Sequence, residues 1–281
     1  MYLYYIQQSP LSKHNQPNQP NQLKNTMYVL VFDTETTGLI ENYRESLYNT
    51  SKYPYVVQLS WLLFDVETNK VVKVCDYILK VPDGITISKE SSDIHGITNE
   101  ISKTKGKDPK EIVALFNQDL KTADVCVCHN TRFDKRMMRI ELIRHNFADA
   151  IYKGNHQWYC TMENSTDVCK LKRYDKYIHA REMLERCRDT FQLARSNVCV
   201  TYLNELDTLI SNMKSVEKVS YKRPKLVELH QYLFKTIPNN LHNSLIDVFV
   251  CFRCYYYLVN NKDILDSNFE FKKQYNEICD L

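Results

Sequence analysis

The sequence predicts an α/β protein, because short buried strands alternate with amphipathic helices along most of its length. Residues 28–32 form a bulky, partly β-branched run that is too short for a helix and leads to Gly38, which is typical of a buried strand. Residues 55–65 and 71–79 are joined by a turn-like segment and predict an antiparallel hairpin beside that strand. Residues 125–128 form a further short apolar strand, which is followed by apolar residues at helical spacing.

Length and composition limit the class of protein. The chain has 281 residues, of which 43% are apolar and 12% aromatic, enough for the core of one large domain with additions. Its formal charge of +3 is nearly balanced, so any surface that binds nucleic acid has to be local. With no secretory signal and no apolar stretch long enough to span a bilayer, the ten cysteines are interpreted as reduced thiols, and we expect an intracellular protein without membrane partners.

The first 26 residues differ in composition from the rest. Residues 7–26 are polar and interrupted by proline, so residues 1–26 are predicted to be a disordered leader. Met27 stands directly before the first strand. A product that begins at Met27 is therefore expected to lose nothing that folds.

Two carboxylates follow the first apolar run. Asp33 and Glu35 are two residues apart, so in an extended chain they project to one side, roughly 7 Å apart along the backbone. Carboxylates in this arrangement favour a site for a hard cation. The pattern alone also suits an ordinary solvated strand end.

Between the hairpin and the next strand, glycine and proline mark two local structures. Gly96 lies between two apolar residues in a glycine-poor chain, which predicts a tight turn. Asp108 and Pro109 open a predicted helix that extends through Leu120.

A further acid follows the strand at residues 125–128. Asp134 begins a helix whose apolar positions include Met137 and Ile140. Thr131 and Asp134 are three residues apart and resemble a capping box, and an acid in the first turn also favours the helix dipole. Capping is therefore an alternative explanation of Asp134.

The last acidic element repeats this arrangement. A helix entered through Pro224 covers residues 225–234, and after a break a second helix opens near Ser244 and Asp247. These two residues again suit a helix cap. His242, in the preceding loop, carries no functional signal when it is considered alone.

Taken together, these residues resemble the DEDDh 3′→5′ exonucleases of the RNase H-like superfamily. The matching segments extend from residue 27 to about residue 260 and are Phe-Asp33-Thr-Glu35-Thr-Thr-Gly-Leu, Ile-His95-Gly-Ile-Thr, His-Asn130-x-x-Phe133-Asp134, Tyr-Cys-Thr161-Met, Tyr-Lys-Arg-Pro224-Lys-Leu and His242-x-x-x-x-Asp247. The pattern is similar to that of the proofreading (epsilon) subunits of bacterial DNA polymerase III and of stand-alone DNA exonucleases.

The resemblance implies an RNase H-like fold, with a mixed five-stranded sheet whose second strand is antiparallel and with helices on both faces. It also implies two divalent ions, Mg²⁺ or Mn²⁺, because two ions about 4 Å apart suit an in-line displacement at phosphorus and carboxylates are their preferred ligands. Asp33 would bridge both ions, Glu35 and Asp247 would complete one site, and Asp134 would support the other. His242 would be the general base toward the attacking water.

The resemblance further implies a pocket for the terminal nucleotide. Its members would be Thr36, Thr37, Gly38, Leu39, Ile94, His95, Asn130 and Phe133. Leu39 would pack on a base, although Leu39 and Phe133 also suit ordinary core packing. Two departures from the family pattern leave the ligands in place: Ser244 replaces the usual alanine, and Thr131-Arg132 is more polar than the residues common there.

The segment from about residue 168 to 219 exceeds what this fold needs. Apolar residues recur at helical spacing from Leu184 to Val198 and from Leu203 to Met213, which predicts an inserted helical pair. The first half is rich in basic residues, so it is interpreted either as a phosphate-binding arm or as a solvated helix face. Residues 261–281 are expected to form a charged C-terminal tail after a domain spanning residues 27–260.

An alternative interpretation is a zinc site at Cys251 and Cys254, because cysteines at this spacing are found in zinc sites. No second Cys or His pair follows at the spacing of a zinc finger, and residues three apart on a helix also suit burial. Zinc binding is therefore not the favoured interpretation.

Three functions follow from the sequence. The preferred one is a 3′→5′ exonuclease on single-stranded or frayed DNA, with a role in proofreading or repair, and proofreading would require a DNA polymerase in trans. The second is a 3′→5′ exoribonuclease that trims RNA, because the same metal site can cleave either backbone. The third is a catalytically silent nucleic-acid-binding module, since a fold does not guarantee activity. The complete ligand set argues against this third function.

Overall fold

The computed structural model describes residues 27–172, 176–193, 200–215 and 221–279. The predicted leader, residues 1–26, lies outside the described residues, as do some positions of the predicted insertion, including Val198. The chain forms two compact units. The first is built from residues up to 163 and from residue 225 onward, and the second is residues 164–224.

The first unit is built on a mixed sheet of five strands. These are β1 (Tyr28–Thr36), β2 (Val56–Asp65), β3 (Lys70–Ile78), β4 (Val125–Cys128) and β5 (Gln157–Cys160), in the order β3-β2-β1-β4-β5. Strand β2 is antiparallel to β1 and β3, whereas β4 is parallel to β1 and β5. The predicted α/β fold and its antiparallel second strand are therefore confirmed.

In chain order, the α-helices of the described residues are α1 (Lys89–His95), α2 (Asn99–Lys105), α3 (Pro109–Thr122), α4 (Thr131–Arg144), α5 (Ala150–Lys153), α6 (Thr161–Asn164), α7 (Thr166–Cys169), α8 (Lys176–Leu193), α9 (Val200–Ser215), α10 (Leu226–Phe234), α11 (Ser244–Asn260), α12 (Ile264–Ser267) and α13 (Phe269–Cys279). Helices α8 and α9 belong to the second unit and correspond to the predicted helical pair. None of the helices in the described ranges has the length and apolar character that crossing a bilayer requires.

Aromatic side chains pack helices on both faces of the sheet. On one face, Phe32 of β1 and Trp61 of β2 lie 5.0 and 5.7 Å from the ring of Phe116 in α3. On the other face, Phe64 of β2 lies 4.8 Å from the ring of Phe252 in α11. Since side chains alternate along a strand, Asp33 and Glu35 point to the face that α11 covers.

Strand β1 is longer than the apolar run that predicted it. It continues through Thr36, because its ladder with β2 extends as far as the pairing of Thr36 with Val56. Asp33 and Glu35 therefore lie within the strand rather than after its end. The backbone around both acids is held by β2.

The C-terminal segment differs from the predicted tail. Residues 264–267 and 269–279 form α12 and α13, and the buried Phe271 stacks on Phe249 of α11 at 5.4 Å. Phe271, Tyr275 and Cys279 recur every four residues and form the buried face of α13. The packed unit consequently extends beyond residue 260.

Candidate metal centre

Three carboxylates from distant parts of the chain meet on one face of β1. Asp33 and Glu35 point toward α11, and Asp247 lies in the first turn of that helix. Their ligand atoms lie within 4.8 Å of one another. In the described part of the chain, these three acids are the group of acidic, histidine or cysteine side chains that could hold a metal ion. Neither Cys251 nor Cys254 belongs to this group.

The beginning of α11 fixes how Asp247 approaches β1. Asn243 is the N-cap, and its side chain accepts a hydrogen bond from the N–H of Leu245 at 3.1 Å. Ser244 donates its hydroxyl to the carbonyl of Asp33 at 2.7 Å. The alternative that Ser244 caps the helix is therefore wrong, because this side chain joins α11 to β1.

One oxygen of Asp247 has no hydrogen-bond partner among the described residues. Its Oδ2 accepts a hydrogen bond from the N–H of His242 at 3.2 Å. Its Oδ1 is buried and forms no hydrogen bond with the described residues. An unpaired buried carboxylate oxygen is costly in a protein interior unless another group, such as a cation, binds it.

Burial and mutual repulsion disfavour the ionised forms of the acids. Burial raises the pKa of Asp33 to about 7, an effect that the hydroxyl of Ser244 partly offsets. Burial and the neighbouring carboxylates raise the pKa of Glu35 to about 10. Burial, together with the charge of Asp33, raises the pKa of Asp247 and of Asp134 well above the ordinary range. A divalent cation would relieve this repulsion, so the donor set and the unpaired oxygen fit a hard metal ion.

Asp134 is placed differently from the other three acids. Its Oδ1 accepts hydrogen bonds from the N–H and the hydroxyl of Thr34, at 3.1 and 2.9 Å. The pairing of β1 with β4 ends at Val31. Asp134 therefore accepts a hydrogen bond from a backbone N–H of β1, that of Thr34, beyond the end of this ladder. The predicted cap is wrong, because the N-cap of α4 is Asn130 and not Thr131. Asp134 thus lies beside the cluster of three without belonging to it.

A polar network that the sequence did not predict supports the cluster. Gln58 and Ser60 of β2 lie opposite the two acids of β1, and both donate hydrogen bonds of 2.7 Å to Oδ1 of Asp76 on β3. The Oε1 of Gln58 accepts a hydrogen bond from the N–H of Ser244 at 3.3 Å. The network therefore joins β3, β2 and α11 behind the acids. Polar side chains within the otherwise apolar β2 were the signal for it.

His242 lies at the edge of the cluster. Its backbone adopts the left-handed conformation with φ 73°, and its side chain is exposed. The hydrogen bond from its N–H to Asp247 fixes the loop against the first turn of α11. The structure thus brings the backbone of residue 242 into contact with one of the three acids.

The residues predicted to line a nucleotide pocket fall into two groups. The buried Thr36 donates its hydroxyl to the carbonyl of Gly38 at 2.7 Å, and the buried Thr37 accepts a hydrogen bond from the N–H of Tyr55 at 3.0 Å. Their hydroxyls therefore form hydrogen bonds with the backbone that stabilise the fold. By contrast, 84% of Leu39 and 58% of Ile94 are exposed, so core packing does not explain Leu39.

His95 holds the end of α1 against β1. Its Nδ1 accepts a hydrogen bond from the N–H of Ile97 at 3.1 Å, so in the neutral ring Nε2 carries the proton and donates to the carbonyl of Thr36 at 3.2 Å. Burial lowers the pKa of His95, which favours this neutral form. Gly96 follows as a left-handed C-cap with φ 74°, the tight turn that was predicted.

The two remaining pocket residues belong to the start of α4. Asn130 is the left-handed N-cap, with φ 75°, and makes no side-chain capping bond. Phe133 is partly buried and packs against the hydrophobic core, as its alternative interpretation proposed.

The raised pKa values predict how stability depends on pH and on metal. In a chelator, the stabilising effect of protonated acids is present below their ordinary pKa values of 3.8 and 4.5 and is lost as pH rises through about 7 for Asp33 and about 10 for Glu35. The free energy of unfolding should therefore fall, on the order of a few kcal/mol, between about pH 5 and about pH 8. Added Mn²⁺ or Mg²⁺ should raise the melting temperature, and more so at the higher pH.

Calorimetry or thermal unfolding at several pH values tests this expectation. Glu35→Gln should flatten the pH dependence and reduce the stabilisation by metal, whereas Glu67→Gln, at an exposed position of the β2–β3 turn, should change neither. A wild-type protein whose stability is independent of both pH and metal would contradict the assignment of the cluster.

Known exonucleases resemble this chain in sequence and in fold. The sequence model of the exonuclease family RNase_T matches residues 30–188. No curated protein matches the chain. The structure of E. coli Exonuclease I in complex with a dT13 oligonucleotide is similar with a TM-score of 0.51 at 14% identity, over 87% of this chain and 43% of that chain. A structure of Exonuclease I described as suggesting how processivity is achieved gives a TM-score of 0.54 at 14% identity, over the same 87% and 43%.

These structural similarities concern the fold. The chain matches less than half of the length of either Exonuclease I structure.

Proposed function

The chain belongs to the exonuclease family RNase_T, and from this membership we propose that it is a metal-dependent 3′→5′ exonuclease of the DEDDh type acting on DNA. The observation that carries the proposal is that ligand atoms of Asp33, Glu35 and Asp247 lie within 4.8 Å of one another, and that one buried oxygen of Asp247 has no hydrogen-bond partner in the described ranges. An acidic cluster of this kind in a nuclease fold suits the hydrolysis of a phosphodiester bond.

The carboxylates would hold two divalent ions, Mg²⁺ or Mn²⁺. We assign one ion to Asp33, Glu35 and Asp247, and a second to Asp33 with support from Asp134. When bound, such ions stabilise the charge on the attacking and departing oxygens of an in-line displacement. The network behind Ser244 and Gln58 holds the first set of ligands in register.

His242 would take the proton of the attacking water. The water oxygen forms a bond to phosphorus while the bond from phosphorus to the 3′ oxygen of the preceding nucleotide breaks. The departing 3′ oxygen takes a proton from solvent, and a nucleoside monophosphate is released. The exposure of His242 and the hydrogen bond of its backbone N–H to Asp247 support this role, because the imidazole is accessible and its backbone contacts an acid of the cluster.

Leu39 and Ile94 would contact the terminal nucleotide. Helix α1 is joined to the end of β1 at both of its ends, by the N–H of Ser88 to the carbonyl of Thr37 at 3.0 Å and by His95 to Thr36. This anchoring holds Ile94 on a helix fixed to β1, and the exposed Leu39 follows Thr37 in the chain, so both apolar side chains can pack on a base. Thr36, Thr37, Gly38, His95, Asn130 and Phe133 would shape the pocket through the backbone and core packing.

DNA is the preferred substrate because E. coli Exonuclease I, which shares the fold, is known in complex with a dT13 oligonucleotide. A role in proofreading or repair, with a DNA polymerase as partner, rests on that activity. The described cysteines, apart from Cys187, are buried, which suits the reduced thiols that we propose for an intracellular protein.

The function is tested by a time course on 5′-labelled single-stranded DNA and RNA of equal sequence in Mg²⁺. We expect a descending ladder of products that Asp247→Ala does not give, while Asp266→Ala, at an exposed position of α12, gives the full ladder. A preference for RNA would identify an exoribonuclease. Failure to cleave either strand in Mg²⁺ or Mn²⁺ would contradict the proposal and favour a nucleic-acid-binding module.

A further inference from the structure

An exposed arginine in the first turn of α4, the helix that carries Asp134, has no part in the mechanism above. Arg132 is the second residue of α4 and stands two residues before Asp134. Its guanidinium carbon lies 4.5 Å from the centre of the ring of Tyr43, in the segment that follows β1. Tyr43 itself is partly buried and packs against the hydrophobic core. The ring therefore offers the guanidinium a fixed support.

Two other arginines of α4 show what a purely structural arginine does at this surface. Arg136 donates hydrogen bonds to the carbonyl of Glu45 at 3.0 Å and to the hydroxyl of Tyr53 at 2.6 Å. Arg144 donates to three backbone carbonyls of the same segment. Arg132 forms no comparable bond, since no hydrogen bond or ion pair joins it to a described residue. Because the residue is exposed, its N–H donors are accessible to a ligand.

The chemistry of this arrangement suits an anion. A guanidinium presents its donors as a planar fork that matches two oxygens of a phosphate. Contact with an aromatic face both attracts the cation and restricts its motion, so less conformational entropy is lost when a ligand binds. A strand that extends from the acidic cluster carries a phosphate at every nucleotide. Arg132 is thus a preorganised cation at the margin of a nucleic-acid site.

We propose that Arg132, supported by Tyr43, binds a backbone phosphate of the nucleic-acid strand whose 3′ end lies at the acidic cluster. This inference rests on the proposed function and adds a substrate-binding residue to it. The contact is to the backbone, so it contributes affinity without sequence preference.

The experiment measures the binding of fluorescent oligo(dT) to protein carrying Asp33→Asn, which prevents degradation, as a function of salt. We expect Arg132→Gln to weaken binding about tenfold, the effect of one charge-assisted hydrogen-bonded contact, and to reduce the slope of log affinity against log salt by about 0.7. Arg132→Lys should keep the salt slope but bind more weakly, since it retains the charge and loses the fork.

The matched control is Lys121→Gln, which removes one positive charge from an exposed position near the end of α3. Strand β4 begins at Val125 and runs parallel to β1. Lys121 precedes it, so it lies at the end of the sheet where these strands begin, whereas the acids lie toward the other end of β1. This variant should bind as the parent does. If Arg132→Gln instead matches Lys121→Gln in affinity and salt slope, while its melting temperature falls, Arg132 is only a loop support and the inference is wrong.

Kinetics separate this inference from the proposed function. In protein with Asp33 intact, Arg132→Gln should raise KM more than it lowers kcat. If Arg132→Gln leaves KM unchanged in an active enzyme, the proposed phosphate contact is wrong but the proposed function still stands. A wild-type protein that releases no nucleotide overturns the proposed function, whatever Arg132 binds.

Discussion

Replacing Asp33 by asparagine should reduce nucleotide release to about one thousandth of the wild-type rate or less, because loss of ion-mediated charge stabilisation is worth several kcal/mol and each 1.4 kcal/mol is a factor of ten. Asp33 is the central acid, since it shares the cluster with Glu35 and Asp247 and its charge also acts on Asp134. Asparagine keeps the volume of the side chain and removes its charge. The hydrogen bond from Ser244 to the backbone carbonyl of residue 33 can persist.

The measurement is the ladder assay with rates from single turnovers, beside thermal unfolding in a chelator. Asp33→Asn should melt at a temperature no lower than wild type, because it removes one of several repelling buried acids. Asp83→Asn, at an exposed loop position, serves as the matched control and should cleave normally. A well-folded Asp33→Asn protein with the wild-type rate would exclude the acidic cluster as the catalytic centre.

Replacing His242 by asparagine should lower the rate by about 10²–10⁴, which is the usual contribution of a general base. Asparagine is the informative choice because residue 242 has φ 73°, a left-handed conformation that asparagine tolerates well. The hydrogen bond from the N–H of residue 242 to Asp247 should therefore remain. The variant removes the imidazole and preserves the loop.

Comparison with His242→Ala distinguishes the contribution of the imidazole from that of the loop conformation. Alanine also removes the imidazole, but in a left-handed conformation it adds strain of roughly 1–2 kcal/mol, which should weaken the contact with Asp247. We expect His242→Ala to retain only a trace of activity and to need more Mg²⁺ than His242→Asn. Full activity of His242→Asn together with an inactive His242→Ala would show that loop geometry, and not the imidazole, is what the reaction requires.

The sequence predicted those parts of the structure that depend on local pattern. Alternation along a strand placed Asp33 and Glu35 on one face, and the short apolar run at residues 125–128 marked β4 correctly. Helical spacing also located α3 and α11, so the position of Asp247 in a first turn was accessible. These features follow from periodicity within a single element.

Contacts between elements were not accessible in the same way. The hydrogen bonds of Asp134 to Thr34 join residues that are 100 positions apart, and the local pattern pointed instead to a cap at Thr131. The bonds of Gln58 with Asp76 and Ser244 likewise depend on strand register and on the docking of a helix. Register and docking are set by the whole core, which a local pattern does not contain.

The C-terminal helices illustrate a signal that was present in the sequence. Phe271, Tyr275 and Cys279 repeat at a spacing of four, which predicts a buried helical stripe. The high content of charged residues concealed it. Charge on the exposed face of a helix is compatible with burial of the opposite face.

The hydrogen bond between Ser244 and Asp33 joins residues that are 211 positions apart. During translation, β1 leaves the ribosome long before α11 has been made, so a growing chain carries Asp33 and Glu35 without Asp247. Contacts over such distances also form late in folding, because a long loop has to close first. The three acids can therefore meet only after residue 247 has been made. An unfinished or prematurely released polypeptide holds two of the three acids, so the order of synthesis delays the proposed activity until the chain is nearly complete.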